Sequence, residues 1–187
     1  MVRPRLIREA AAVDQAVYAA IAASDTPTLD RAMSRLSRAA DYSRLSIAAA
    51  VLLAMTRGAA GRRAGALGLA SIAVTSAVVN VFIKPIGRRR RPDPSQVPTE
   101  RRIPMPRSRS FPSGHSASAF AFATGVGQVL PAEAGALRAL AALVGYSRVH
   151  TGVHYVGDVV AGALLGGALA QLTTHYLEVS RDHRTPS

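Results

Sequence analysis

Apolar residues along the chain gather into long runs, and charge is confined to the segments between them. The clearest run is Ala64 to Ile83, twenty residues without a charge between Arg62-Arg63 and Lys84. That length crosses a hydrocarbon core, so a spanning helix is predicted there. Phe111 to Leu130 is uncharged apart from His115, Leu137 to Val149 is apolar with Arg148 near its end, and Val153 to Leu172 is apolar around His154 and Asp158. Ile47 to Met55 is shorter and crosses only if Asp41 to Ser46 and Thr56 lie in the interface. Gly162, Gly166 and Gly167 and many alanines would let helix backbones approach closely in a bilayer. The expected fold is all-α, an integral membrane helical bundle of about five transmembrane helices.

Ahead of these runs the pattern changes. Leu6, Ala10, Val13, Val17 and Ile21 recur at helical spacing, as do Leu29, Met33, Leu36 and Ala40, with Arg31, Arg35 and Arg38 on the opposite side. Two amphipathic helices follow, broken at Asp25-Thr26-Pro27. Their cationic faces suit anionic headgroups, which places them on the membrane surface; packing against the bundle satisfies the pattern equally well. Glu9 and Asp14 interrupt what would be a leader's apolar core after Arg3, Arg5 and Arg8, so no cleavable leader is expected. The chain therefore divides into amphipathic helices at 1–45, a transmembrane core at 46–174 and a polar tail at 175–187.

Composition sharpens this. The chain has 187 residues, 49% of them hydrophobic, a formal net charge of +12 and no cysteine. Grease and positive charge together favour a membrane partner. Nucleic-acid binding is the competing reading of the charge, but the basic residues are not interleaved with stacking aromatics and there is no Trp. No disulfide can form, and no phosphate-cradling Gly-x-x-x-x-Gly-Lys-Ser/Thr loop is present. The excess of Ala and Arg over a single Lys fits a bacterial genome rich in G and C.

Ionisable groups sit at the ends of the apolar runs, where they are costly and mark a functional site by default. The loop from Lys84 to Ser110 holds Arg88 to Arg91, Arg101, Arg102, Arg107, Arg109 and several prolines. Arginine forks and a lysine point charge together match a dianionic phosphate. By itself such a loop is more often an orientation signal or a headgroup contact. Pro112-Ser113-Gly114-His115 stands where a loop meets an apolar helix, so Ser113 can cap, Gly114 allows close approach, the first-turn N–H groups can face an anion and His115 can protonate a leaving oxygen. An ordinary serine cap beside an incidental histidine explains the same four residues. His154 and Asp158 lie four residues apart, one helical face, where the carboxylate can accept Nδ1–H and free Nε2 to attack phosphorus. A polar pair sealing a helix contact is the alternative. Arg148 adds a second phosphate clamp, whereas nothing else supports a role for His150. The histidines form no His-Glu-x-x-His or Cys/His ligand pattern, so no metal and no other cofactor is expected.

Taken together these residues resemble the type 2 phosphatidic acid phosphatases (PAP2), whose pattern is K-x6-RP, PSGH, then SR-x5-H-x3-D. The chain reads Lys84, six residues, Arg91-Pro92; Pro112-Ser113-Gly114-His115; and Ser147-Arg148, five residues, His154, three residues, Asp158, without a substitution. The resemblance spans about Ser46 to Thr174. It implies that Lys84, Arg91, Arg148, Ser113 and the Gly114 backbone bind phosphate, that His154 is the nucleophile, Asp158 its orienting partner and His115 the general acid, and that no metal is needed. It further implies a lipid phosphate substrate such as phosphatidic acid, diacylglycerol pyrophosphate, phosphatidylglycerophosphate or a polyprenyl pyrophosphate, hydrolysed through a phosphohistidine. A polyprenyl-phosphate-sugar phosphatase, a vanadate-dependent haloperoxidase and a lipid-headgroup binding module are the alternatives. Bacterial membrane members of this family usually face outward, which gives an integral inner-membrane protein with an extracytoplasmic site. Against this, roughly seventeen Lys and Arg fall on the site's side and six on the other, which by the positive-inside rule favours the cytoplasm. Phosphate binding and interfacial helices account for many of those positives. Oligomeric state is not legible.

Overall fold

The computed structural model describes residues 2–182, with side chains at 5 and 8–181. Among the described residues the regular structure is helical throughout. The helices are α1 (Val2–Ala23), α2 (Pro27–Ala39), α3 (Arg44–Thr56), α4 (Gly58–Ala77), α5 (Lys84–Ile86), α6 (Gly114–Gly127), α7 (Pro131–His150) and α8 (Val156–Asp182). A π-helical stretch, Val78–Ile83, joins α4 to α5, so helix is continuous over Gly58–Ile86. π-helical turns concentrate at functional sites, and this one ends at Lys84.

Gly58–Ile86 and Val156–Arg181 are long and apolar enough to cross a membrane, with only 28% of the most apolar 18 residues of each buried within the protein. A soluble core helix would hide most of its surface; these two leave theirs open to lipid. Leu52, Met55, Phe82, Leu164 and Leu172 are likewise exposed on the outside of the bundle. The helices α3 and α6 have 13 and 14 residues, or about 20 Å at 1.5 Å per residue, short of a 30 Å core by themselves.

The central element is α6, which packs on α4, α7 and α8, while α3 leans on α4. Its approach to α8 depends on glycine. A Cβ at Gly162 would lie 2.5 Å from Ser113 O, and one at Gly166 would run into the Ala117 carbonyl. The apolar core gathers Ala50, Leu53, Ala64, Ile72, Phe122 and Val126 from three helices, α3, α4 and α6. Thr173 and Thr174 return their hydroxyls to the carbonyls of Leu169 and Ala170, so these groups are satisfied without water.

The N-terminal pair packs against the bundle, α2 on α7 and α1 on both α7 and α8. The buried face of α1 is not the expected one. Val13 and Val17 are 63% and 40% exposed, and Tyr18 and Ala22 are buried with Val97 and Val149. Leu6 of the expected stripe lies outside the described residues. In α2 the pattern holds better: Met33 is buried and Arg31, Arg35 and Arg38 face out. Pro27 opens α2, but Thr26 makes no capping bond; its hydroxyl donates to Asp30 Oδ1 instead, at 2.9 Å. At the other end of the chain α8 runs on to Asp182, past the boundary expected at 174, and residues 183–187 lie outside the described residues.

Candidate active site

The loop after α5 is irregular, as its prolines require, with short 3-10 turns at Pro94–Gln96 and Thr99–Arg101. One of its arginines is not available to a ligand at all. Arg101 is fully buried, donating to Ile21 O at 2.8 Å, to Ser24 O and to Thr26 Oγ1, with its Nε 2.8 Å from Asp30 Oδ1. Those carbonyls lie at the C-terminal end of α1, so Arg101 fastens the α1–α2 junction to the loop. Asp30 is also 2.9 Å from His150 Nε2. Burial opposes the charged form of Asp30, but hydrogen bonds from Arg101, His150 and Thr26 outweigh it and its pKa is lowered. His150, buried on α7, thus locks α2 in place and does not face the reacting groups.

Arg91 is held by its neighbours rather than left to swing. Its Nε and Nη2 donate to Ser108 O (2.9 Å), Ser108 Oγ (3.2 Å) and Arg109 O (3.2 Å), and Nη1 donates to Val153 O at 2.7 Å. The same Nη1 lies 3.1 Å from His154 Nε2. Because a guanidinium only donates, Nε2 is the unprotonated nitrogen. On the far side of the ring Nδ1 faces Asp158 Oδ2 and Ser110 Oγ, each at 3.4 Å, so Nδ1 carries the hydrogen. His154 precedes α8 and Asp158 lies in its first turn; the expected pair forms, though across a helix start rather than along one face. Asp158 is in turn fully engaged, accepting from Ser110 Oγ at 2.5 Å, Tyr155 N at 3.0 Å and Arg89 Nη1 at 3.0 Å. Burial pushes the His154 imidazole pKa down to about 4; the hydrogen bond to Asp158 works the other way, and Arg91 and Arg148 add to the lowering. The ring is therefore neutral, with its lone pair aimed at the cationic pocket.

Around that lone pair the remaining predicted residues assemble. Lys84 Nζ donates to the Ser108 hydroxyl that Arg91 also uses, at 3.3 Å, and lies 3.4 Å from where a Gly114 Cβ would be. Ser113 caps α6, accepting from Ser116 N at 3.4 Å, and its own N–H donates to Asp158 O at 2.9 Å, tying the helix start to the His154 segment. Arg148, buried near the end of α7, donates to Ser37 Oγ at 2.7 Å, and its Nε has no partner. His115 Nε2 is 2.9 Å from Asp41 Oδ1, which is also 3.7 Å from Arg148 Nη1. All eight predicted residues thus stand at one end of the bundle. Among the described residues no group of three or more His, Cys, Asp or Glu is arranged to hold a metal ion.

Several participants escaped the sequence. Arg89 bridges Asp158 to Asp14 of α1, with Asp14 Oδ2 at 2.6 Å, and Asp14 also accepts from Gly157 N at 2.8 Å. Arg89 also lies over the Tyr155 ring, 4.3 Å from its centroid. Nothing in a run of four arginines singles out the second, and Asp14 and Asp41 lie 75 and 74 residues from their partners. Ser110, two residues before Pro112, was the more accessible signal, since a hydroxyl next to a phosphate motif invites scrutiny. Beside Lys84, Gly114 and His115 opens a cleft of about 210 Å³ running between α3, α4, α6 and α7, where Phe122, Leu137 and Val144 line it.

A sequence model of the PAP2 superfamily matches residues 65–182. A lipid A 1-phosphatase of Rhizobium etli is 42% identical over 64 residues, 34% of this chain and 28% of that protein. One of Rhizobium johnstonii is 41% identical over 64 residues, 34% of this chain and 26% of that protein. The chain thus matches little more than a quarter of the length of these curated relatives. Two crystal structures share the fold. LpxE of Aquifex aeolicus superposes with a TM-score of 0.70 at 24% identity, covering 87% of this chain and 94% of that one. The transmembrane PAP2 type phosphatidylglycerolphosphate phosphatase of Bacillus subtilis gives 0.68 at 27% identity, covering 91% and 87%.

Proposed function

The chain belongs to the PAP2 superfamily, and from that premise we propose that it is a membrane lipid phosphatase acting through a phosphohistidine on His154. The observation that carries this reading is the pinned tautomer: Nε2 faces Arg91 Nη1 at 3.1 Å while Nδ1 faces Asp158 Oδ2 at 3.4 Å. The phosphate of a lipid ester or pyrophosphate sits among Lys84, Arg91, Arg148, the Ser113 hydroxyl and the Gly114 N–H, which neutralise its charge as it grows. Nε2 attacks phosphorus, the P–O bond to the lipid breaks, and the leaving oxygen takes a proton from His115. Water then attacks the phosphohistidine, giving its proton to His115, and inorganic phosphate departs. Asp158 holds the ring, and its negative charge offsets the positive charge that phosphorylation places on the imidazole. No metal takes part in these steps. The cleft beside His115 receives the first part of the lipid chain, with α3, α4, α6, α7 and α8 as the five spans, α1 and α2 at the interface, and the site on the outer face of the cell membrane.

The test is inorganic phosphate release by the detergent-purified protein in EDTA. The panel is phosphatidic acid, diacylglycerol pyrophosphate, phosphatidylglycerophosphate, undecaprenyl pyrophosphate, a polyprenyl-phosphate sugar carrying a terminal phosphate, and lipid A 1-phosphate, the substrate class named by the Rhizobium relatives. Selective turnover supports the reading and names the substrate. A folded protein that turns over none of them but binds their vesicles is a headgroup module, and one active only with vanadate, peroxide and halide is a haloperoxidase. For sidedness, an impermeant thiol reagent should label Thr99→Cys beside the site in intact cells and not Ala60→Cys at the opposite end; the reverse pattern places the site in the cytoplasm.

A further inference from the structure

We propose that Asp41 is a positioning residue for the general acid, holding His115 by Nε2 so that Nδ1 is the nitrogen that gives and takes the transferable proton. The proposal rests on the phosphatase reading above and concerns a residue outside the segment matched by the family. Asp41 Oδ1 lies 2.9 Å from His115 Nε2, and no other carboxylate forms an ion pair with that ring among the described residues. The other charged groups facing His115 are Lys84, at the end of the spanning helix, and Arg148, from α7, both positive. A histidine between two cations needs a negative neighbour if it is to hold a proton for a leaving group, and the turn between α2 and α3 delivers one.

The backbone of the turn that carries Asp41 is unusual. Tyr42 and Ser43, which follow it, both have φ of +57°, the left-handed region that residues other than glycine seldom enter. Neither is placed there by core packing: Tyr42 is 83% exposed, its ring beneath the Arg44 guanidinium at 5.4 Å. The two left-handed residues turn the chain into α3 just after Asp41, whose carboxylate lies against His115 and, 3.7 Å away, Arg148. In the resulting arrangement Nε2–H stays on Asp41 throughout. In the first half-reaction Nδ1–H passes to the lipid oxygen as its bond to phosphorus breaks. In the second, Nδ1 removes a proton from the attacking water, which restores the imidazolium.

The consequence is a dependence on the leaving group. An alkoxide cannot depart without a proton, whereas a nitrophenolate can. Purified parent and Asp41→Asn protein are therefore compared by kcat/KM on octyl phosphate and 4-nitrophenyl phosphate, a ratio that ends at release of the alcohol and leaves out the water step common to both, with heat unfolding of both recorded. The expected result is release from octyl phosphate slowed by about ten- to a hundredfold, release from the nitrophenyl ester changed by less than about threefold, and partial recovery of the octyl rate in Asp41→Glu. Equal slowing on both esters makes Asp41 merely structural and overturns the proposal, as does an unchanged octyl rate. Faster turnover with tighter inhibition by inorganic phosphate also overturns it, showing that the carboxylate competes for the phosphate seat. If Asp41→Asn does not fold, Asp41→Ser carries the same comparison. A parent that hydrolyses neither ester nor any lipid of the panel refutes the phosphatase reading itself.

Discussion

Gly162 on α8 lies against the carbonyl of Ser113, and that carbonyl belongs to the residue that both caps α6 and bonds to the backbone of Asp158. Replacing it by alanine puts a Cβ 2.5 Å from Ser113 O, where ordinary contacts begin at 3.4 Å, so the two helices must part by about 0.9 Å. The neighbour is backbone on both sides and cannot rotate away. The parting acts on the Ser113 N to Asp158 O bond of 2.9 Å and separates the phosphate cradle from His154 by a similar amount. A misplacement near 1 Å between reacting groups is worth about a hundredfold in rate, and overpacking of this kind costs about 1–3 kcal/mol of stability. Gly162→Ala should therefore lower phosphate release about a hundredfold and unfold at a lower temperature in detergent. Gly167→Ala is the control: its Cβ would meet only Thr124 Oγ1 at 3.8 Å, so its rate should match the parent's. A Gly162→Ala protein with parental rate and parental melting would refute the claim that this glycine sets the distance between cradle and nucleophile.

On the proposed mechanism, the link from Asp14 through Arg89 to Asp158 ties the N-terminal helix to the placement of His154: Arg89→Ala and Asp14→Asn should each slow turnover by about tenfold or more. Arg89→Lys, which keeps the charge but not the fork, should fall between, and parental rates in both Arg89→Ala and Asp14→Asn would remove α1 from the account. The pH dependence follows from the buried ring of His154, whose pKa is lowered from 6.5 to about 4. The acid limb of kcat/KM should lie near 4, and a limb near 6.5 would show an accessible ring. In stability, the unfolded chain takes up a proton near pH 6.5 that the folded ring refuses until about 4. Stability conferred by the neutral ring is thus complete above 6.5 and lost as pH falls through that window, by about 3 kcal/mol in all, as melting of the parent against His154→Gln should show.

The sequence was most legible where one physical constraint acts alone. Twenty uncharged residues before Lys84 announce a spanning helix because lipid admits little else, and the three motifs named eight residues that the fold gathers at one end of the bundle. Legibility faded where competing partners decide. Val13 and Val17 marked a helical stripe, yet α1 buries Tyr18, whose ring meets Tyr155 edge-on at 5.6 Å, and turns Asp14 toward Arg89. Arg101 was one basic residue among many in its loop, and only the fold shows that it is consumed by helix-end carbonyls. Asp41 read as an interfacial residue because its partner on α6 is far away in the chain, and no local pattern encodes a contact closed by a left-handed turn.

The central claim is that His154 becomes phosphorylated during turnover, and the direct measurement is an alkaline quench of the protein with its best lipid substrate, followed by mass spectrometry of the peptide containing His154. The account predicts an acid-labile, base-stable phosphoryl group on His154, absent from His154→Ala, which should also release no phosphate. Steady turnover with no phosphoryl group on the protein, with the group on another residue, or undiminished in His154→Ala would contradict it.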